Sequence, residues 1–163
     1  MKENNPAVIQ TQIGTYILVL QATSACQCHV GKLGQCAIAQ GYYLYVGSAF
    51  GKGGVFARIS HHRRLSARPH WHIDYLRLQL PLIAIWYSHD TQRREHQWAS
   101  ILSGSKTMHI GLPHFGASDC TCCSHLFFSE TLPSFSTFQQ AVMQVYPTHA
   151  PIWQSIESET ETC

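Results

Sequence analysis

Apolar and polar positions along the chain fall into short runs punctuated by glycine and proline. Ile13 to Leu20 (I-G-T-Y-I-L-V-L) is rich in β-branched and aromatic residues without a helical repeat, which predicts a strand. Gln35 to Ile38 and then Tyr42 to Val46 (Y-Y-L-Y-V), bounded by Gly41 and Gly47, predict a second strand antiparallel to the first. The break at Gly51 to Gly54 launches a helix over Val55 to Leu65, where Val55, Ile59 and His62 recur at i, i+4 and i+7. Pro69 restarts the chain. A short helix follows over His70 to Leu80, with Ile73, Leu76 and Leu80 at helical spacing, and Pro81 ends it. Leu82 to Tyr87 (L-I-A-I-W-Y) reads as the third strand, and Asp90 or Thr91 is placed to cap a helix running to about Leu102, stopped by Ser103-Gly104. Thr107 to His125 reads as a loop, followed by the apolar segment Leu126 to Phe128. Ser134 to Tyr146 carries Phe138, Val142 and Val145 at helical spacing, closed by Pro147. The pattern predicts an α+β domain with a small, largely antiparallel sheet flanked by helices. It spans residues 13–147, between an N-terminal extension (1–12) and an acidic C-terminal tail (148–163).

Composition narrows the classes. The 163 residues suit one domain, and 45% hydrophobic residues exclude wholesale disorder. The net charge is only +2, so the whole molecule is not a polycation. Charge is uneven, however. Nine Lys/Arg lie between Lys52 and Lys106 against three acids (Asp74, Asp90, Glu95), so nine minus three leaves about +6 on the middle third. The seven cysteines sit as Cys26-x-Cys28, Cys36, Cys120-x-Cys122-Cys123 and Cys163, spacings that bridge only with strain; they read as thiols or ligands in a reducing compartment. No apolar run nears the roughly 18 residues that a membrane span needs. Met1 to Gln10 lacks the layout of a secretory signal, so the expectation is a cytoplasmic protein without membrane contact.

Several residues carry chemistry in pattern. Glu95 shares a helical stripe with Trp98, Ala99 and Leu102, which sets a carboxylate at the edge of a buried face. Spacing alone leaves two readings: a carboxylate paired with an arginine, or a ligand for a hard divalent cation. Arg58 and His62 lie four apart on the helix from Val55, either as an ordinary polar flank or as a phosphate-binding pair. Lys52, Arg63, Arg64, Arg68, His70 and His72 extend a positive surface suited to nucleic acid. In His70-Trp71-His72, Trp71 is expected to anchor the helix in the core while one histidine faces phosphate. Tyr16 and Tyr45 stand beside glycines in the two aromatic strands, and adjacent glycines permit close approach of a ligand or backbone. A second constellation comprises Asp119, Cys120, Cys122, Cys123 and His125. It is read as a tight loop against the active face, as a Zn²⁺ site completed by His70 or His72, or as an extension of the active site through Asp119 and His125.

The ordered set G-T-Y, Y-V-G, an arginine in the next helix with histidine four residues on, and a later helical glutamate resembles the GIY-YIG nuclease superfamily. Gly14 to Phe128, including G-Y-Y-L-Y-V-G-S-A, P-H-W-H-I-D-Y-L and F-G-A-S-D-C-T-C-C-S-H-L-F, resembles a branch long catalogued as a domain of unknown function. The resemblance implies hydrolysis of DNA phosphodiester bonds at a single-metal site. In it Tyr16 and Tyr45 position or activate water, Arg58 binds the scissile phosphate, His62 assists, and Glu95 holds Mg²⁺ or Mn²⁺. The chain departs from the compact members in the length of Gln21 to Gln40, which implies an inserted hairpin or loop able to cover the site or read a substrate. Its only asparagines are Asn4 and Asn5, so the late asparagine of many relatives has no match. A DNA endonuclease selective for structure is therefore the leading expectation. A non-catalytic nucleic-acid-binding module and a zinc-stabilised interaction domain are the alternatives.

Overall fold

The computed structural model describes residues 8–116 and 124–157. In chain order the elements are β1 (Gly14–Ala22), β2 (Cys26–His29), β3 (Gln35–Ile38), β4 (Gly41–Ala49), α1 (Gly54–Arg63), α2 (His72–Arg77), β5 (Leu82–Ser88), α3 (Glu95–Ser103), β6 (His109–Ile110), β7 (Leu126–Ser129), α4 (Phe135–Val145) and β8 (Ile152–Ile156). Six strands form one sheet in the order β6-β7-β4-β1-β5-β8, and every neighbouring pair is antiparallel. β2 and β3 make a separate hairpin.

The continuous apolar run of β1 has a tertiary cause: both of its faces are covered. Tyr16, Leu18 and Leu20 point to one side, where they meet Val55 and Ile59 of α1 and Ile73 and Leu76 of α2. Ile17 and Val19 point to the other, toward Trp98 and Leu102 of α3 and Phe138 and Val142 of α4. The result is three layers, with helices on both faces of an antiparallel sheet. The inserted segment is the β2–β3 hairpin. It packs on α2, with Cys28 and Val30 in the shared core and His29 edge-on to Tyr75 at 5.8 Å. Cys26, Cys28 and Cys36 are free thiols.

Three details differ from the expectations. The helix expected from Asp90 or Thr91 begins at Glu95, because the Asp90 carboxylate accepts from the Gln92 amide (2.8 Å), Arg94 (3.1 Å) and the Ala150 amide (2.8 Å) and caps no helix. The stretch read as an acidic tail contributes β8, which pairs with β5 from Ile152 to Ile156. The glutamates that suggested a solvated end begin only at Glu157, after the apolar positions of that strand. Finally, residues 10–12 act on the fold: the Gln10 and Gln12 carbonyls accept from the Phe56 and Val55 amides at the start of α1, where no intrahelical partner exists.

Candidate active site

Tyr16 and Tyr45 project from β1 and β4 on the face that carries α1, their ring centroids 6.5 Å apart. Gly47 lies directly opposite Tyr16 in the β1–β4 register, and a methyl group at that position would overlap the tyrosine ring. The glycine beside Tyr45 therefore makes room for the phenol of Tyr16. The Tyr16 hydroxyl and His62 Nε2 share a hydrogen bond of 2.7 Å, in a pocket where His62 is 2% exposed. Burial, together with the neighbouring Tyr45 hydroxyl, pushes the Tyr16 phenol well above its ordinary pKa. Burial and the adjacent His61 push His62 down to about 3. Both shifts disfavour the charged forms, so the pair rests as a neutral phenol hydrogen-bonded to a neutral imidazole. Burial also raises the pKa of Tyr45, with the negative charge of Glu95 acting in the same direction.

Arg58, one turn before His62 on α1, lies over the Trp71 ring with its guanidinium carbon 4.5 Å from the centroid. Trp71 is 37% exposed, which corrects its expected role as a core anchor: it is a platform for the arginine. His61 and His62 also pack on this indole, at 5.0 and 6.2 Å between centroids. His61 Nε2 is 2.8 Å from Asp74 Oδ1, while Asp74 Oδ2 accepts from the His70 and Trp71 amides. Burial alone would raise the Asp74 carboxyl, but these hydrogen bonds outweigh it and hold its pKa below the usual carboxylate value.

Glu95 opens α3, the helix on the opposite face of the sheet, and its carboxylate Oε1 lies 2.9 Å from His125 Nδ1. The His125 backbone is itself fixed, donating to the Phe115 carbonyl and accepting from the Val46 amide. Phe115 closes the wall, edge-on to Tyr45 at 5.9 Å and 5.4 Å from His72. Although Glu95 comes from another helix, its charge acts on the Tyr16 and Tyr45 hydroxyls, as does that of Arg58. Its side chain is 23% exposed, so the carboxylate meets solvent. One oriented carboxylate reaching water is a fit for Mg²⁺ or Mn²⁺, which retain waters and draw further oxygens from a substrate phosphate.

The residues expected to bind nucleic acid divide. Lys52, Arg64 and Arg68 are exposed, and so is His70, whose ring leans on Trp71 at 5.9 Å. Arg63 is held by Glu157 through a 2.6 Å ion pair, so its charge is partly neutralised. His72 Nδ1 accepts from the Gly116 amide at 3.0 Å, which makes this histidine a tether for the Phe115 segment rather than an open phosphate contact. Two further cations of the basic middle third, Arg77 and Arg94, are buried; Arg77 donates to the His62 and Leu80 carbonyls and stitches α1 to α2. Asp119, Cys120, Cys122 and Cys123 lie outside the described residues. His61, Asp74 and Phe115 escaped the sequence reading. For the first two, the signal present was a histidine pair at the end of one helix and an acid near the start of the next.

A family model described as "Domain of unknown function DUF123" matches residues 15–147. No curated protein and no solved structure matches the chain.

Proposed function

We propose that this chain, which belongs to the DUF123 family of unknown function, is a metal-dependent endonuclease of the GIY-YIG kind. On this reading it hydrolyses DNA phosphodiester bonds and selects DNA by structure more than by sequence. The observation that carries the reading is the hydrogen-bonded Tyr16–His62 pair, with Tyr45 and the Trp71-supported Arg58 around it and the charge of the Glu95 carboxylate acting on both tyrosine hydroxyls. Four separate elements, β1, β4, α1 and α3, supply these groups, the last from the other side of the sheet.

The chemistry follows from the roles open to each group. The Arg58 guanidinium offers parallel donors to two oxygens of a phosphate, and the indole beneath it limits the orientations it must give up on binding. The Tyr16 and Tyr45 hydroxyls orient a water for in-line attack, and His62 assists by holding the Tyr16 hydroxyl in place through their hydrogen bond. Glu95, held by His125, would carry Mg²⁺ or Mn²⁺, which when bound supplies Lewis-acid stabilisation of charge on the phosphate oxygens. Exposed Lys52, Arg64 and Arg68 suit the flanking phosphates. These are backbone contacts, which position a duplex without reading bases.

The test is incubation of the purified protein with labelled duplex, single-stranded, flapped and branched DNA, with Mg²⁺, Mn²⁺ or EDTA. Glu95→Gln and Arg58→Ala serve as controls. Metal-dependent cutting that disappears in both variants is expected. Salt-sensitive binding with no product from any substrate replaces the enzyme with a binding module of the same fold.

A further inference from the structure

We infer that His61, His62 and Asp74 form a second cation site, separate from Glu95, for a divalent transition ion of the zinc class. One ring nitrogen of each histidine and one carboxylate oxygen of Asp74 lie within 4.8 Å of one another, at the junction between α1 and α2. The closest pair, His61 Nε2 and Asp74 Oδ1, is 2.8 Å apart. Two ligand atoms on a tetrahedral zinc are separated by about 3.4 Å, from metal–ligand lengths near 2.1 Å. The observed spacings bracket that figure, so small side-chain rotations close the cluster around an ion.

A second observation points to the same place. His62 is 2% exposed, its Nε2 is committed to Tyr16, and its Nδ1 is buried without a hydrogen-bond partner. A buried ring nitrogen without a partner carries an uncompensated desolvation cost, so it calls for an explanation. A cation at Nδ1 removes the deficit, with the ring proton placed on Nε2 and donated to the Tyr16 oxygen. Metal-bound histidines ordinarily use their other nitrogen in this way. His61, with about a third of its side chain exposed, can shift its own proton to the outer nitrogen and turn Nε2 to the ion. Asp74 stays oriented by the His70 and Trp71 amides on its other oxygen. Three protein ligands leave a fourth position for water or a phosphate oxygen beside Arg58.

The donor set decides the ion. Two imidazoles and one carboxylate suit Zn²⁺, Co²⁺, Ni²⁺ or Fe²⁺, whereas Mg²⁺ favours oxygen ligands alone. Occupancy also has a direction: with the ring proton on Nε2, His62 donates to the Tyr16 oxygen, so the ion fixes the sense of that hydrogen bond.

The test uses the full chain, stripped with chelator and titrated with Co²⁺, read by visible absorption with Zn²⁺ displacement. One equivalent with a nitrogen and oxygen spectrum is expected. His61→Ala, at a partly exposed position, should weaken binding at least about ten-fold, the loss that even an outer-shell change produces. Asp74→Asn, which keeps an acceptor for the two amides, should do the same. Excess Mg²⁺, which fills an all-oxygen site of the Glu95 kind, should leave this Co²⁺ equivalent in place, so the site stands or falls apart from the nuclease reading. Absence of stoichiometric binding, or binding that survives His61→Ala with a thiolate charge-transfer band, overturns the proposal; the latter transfers the ion to the cysteines.

Discussion

Two buried polar clusters lie on opposite sides of the sheet; each leaves one buried side-chain nitrogen without a hydrogen bond, and they differ in what that nitrogen can do. Around Asp90, one carboxylate takes donors from Gln92, Arg94 and Ala150. Nearby, His149 accepts from the Trp98 indole at 2.9 Å and thereby has its proton directed to the Ala150 carbonyl. That arrangement ties the start of α3 to the chain entering β8, and only Nε of Arg94 lacks a partner there. Around Tyr16, by contrast, a hydroxyl and a neutral imidazole face each other, one ring nitrogen is orphaned, and Trp71 and Arg58 open toward solvent. A guanidinium nitrogen can only donate, whereas an imidazole nitrogen can hold a ligand, so the Asp90 network serves the fold while the Tyr16 cluster has capacity for a ligand.

The contrast is broken most forcefully from the Asp90 side. Asp90→Ala strands a buried guanidinium whose side chain is 4% exposed, and should cost about 3–5 kcal/mol in urea unfolding. A loss under 1 kcal/mol would remove that cluster's structural role. Arg58→Ala and Glu95→Gln should do the opposite, lowering DNA cleavage by roughly 10²–10³-fold with near-normal unfolding midpoints. If these variants unfold readily instead, the Tyr16 side is structural as well. Gly47→Ala falls between the two. The added methyl displaces the Tyr16 ring, so about 1–3 kcal/mol of overpacking should accompany reduced cleavage, visible in parallel melts and rate assays.

Acid sharpens the comparison further. Burial lowers the pKa of both His62, to about 3, and His149. Their unfolded forms titrate near 6.5, so below that pH the unfolded chain takes up protons that the native chain refuses. Stability is fully present above about pH 6.5 and falls as the pH drops, by about 1.4 kcal/mol per unit for each such histidine, down to its folded pKa. For His62 the window runs from about 6.5 to about 3. Urea midpoints measured from neutral pH to about pH 4.5 should fall less steeply in His62→Gln than in wild type, and parallel curves would show that His62 is not held neutral. The smallest effect is expected of Tyr16→Phe: about 1 kcal/mol for one lost hydrogen bond, with cleavage affected more than stability.

Much of the fold was legible along the chain because its elements announce themselves locally. Glycine and proline bracket β4, α1 and β5, and the i, i+4, i+7 pattern of Val55, Ile59 and His62 places all three on the buried stripe of α1. Ser134, where the segment of helical spacing begins, caps α4 by accepting from the Thr137 amide. Asp90 misled because an acid before a helical pattern resembles a cap, and the Ala150 amide that claims it is 60 residues away. β8 was hidden for a similar reason: an edge strand of five residues has little local signature, and β5 supplies its pairing.

The candidate site was read as five residues in order, and sequence could reach that far because residue types and spacings along strands and helices are local properties. What sequence alone determined was most of the elements, their mostly apolar strands, and which polar residues sit at the margins of buried faces. Tertiary packing alone decided that Trp71 carries an arginine instead of filling the core, that His72 tethers a loop, and that Glu95 is held by His125. It also decided that His61 and Asp74, 13 positions apart, touch at all. Such pairings depend on how α1, α2 and α3 lie on the sheet, and that is set by the sum of core contacts, not by the local preferences of any one segment.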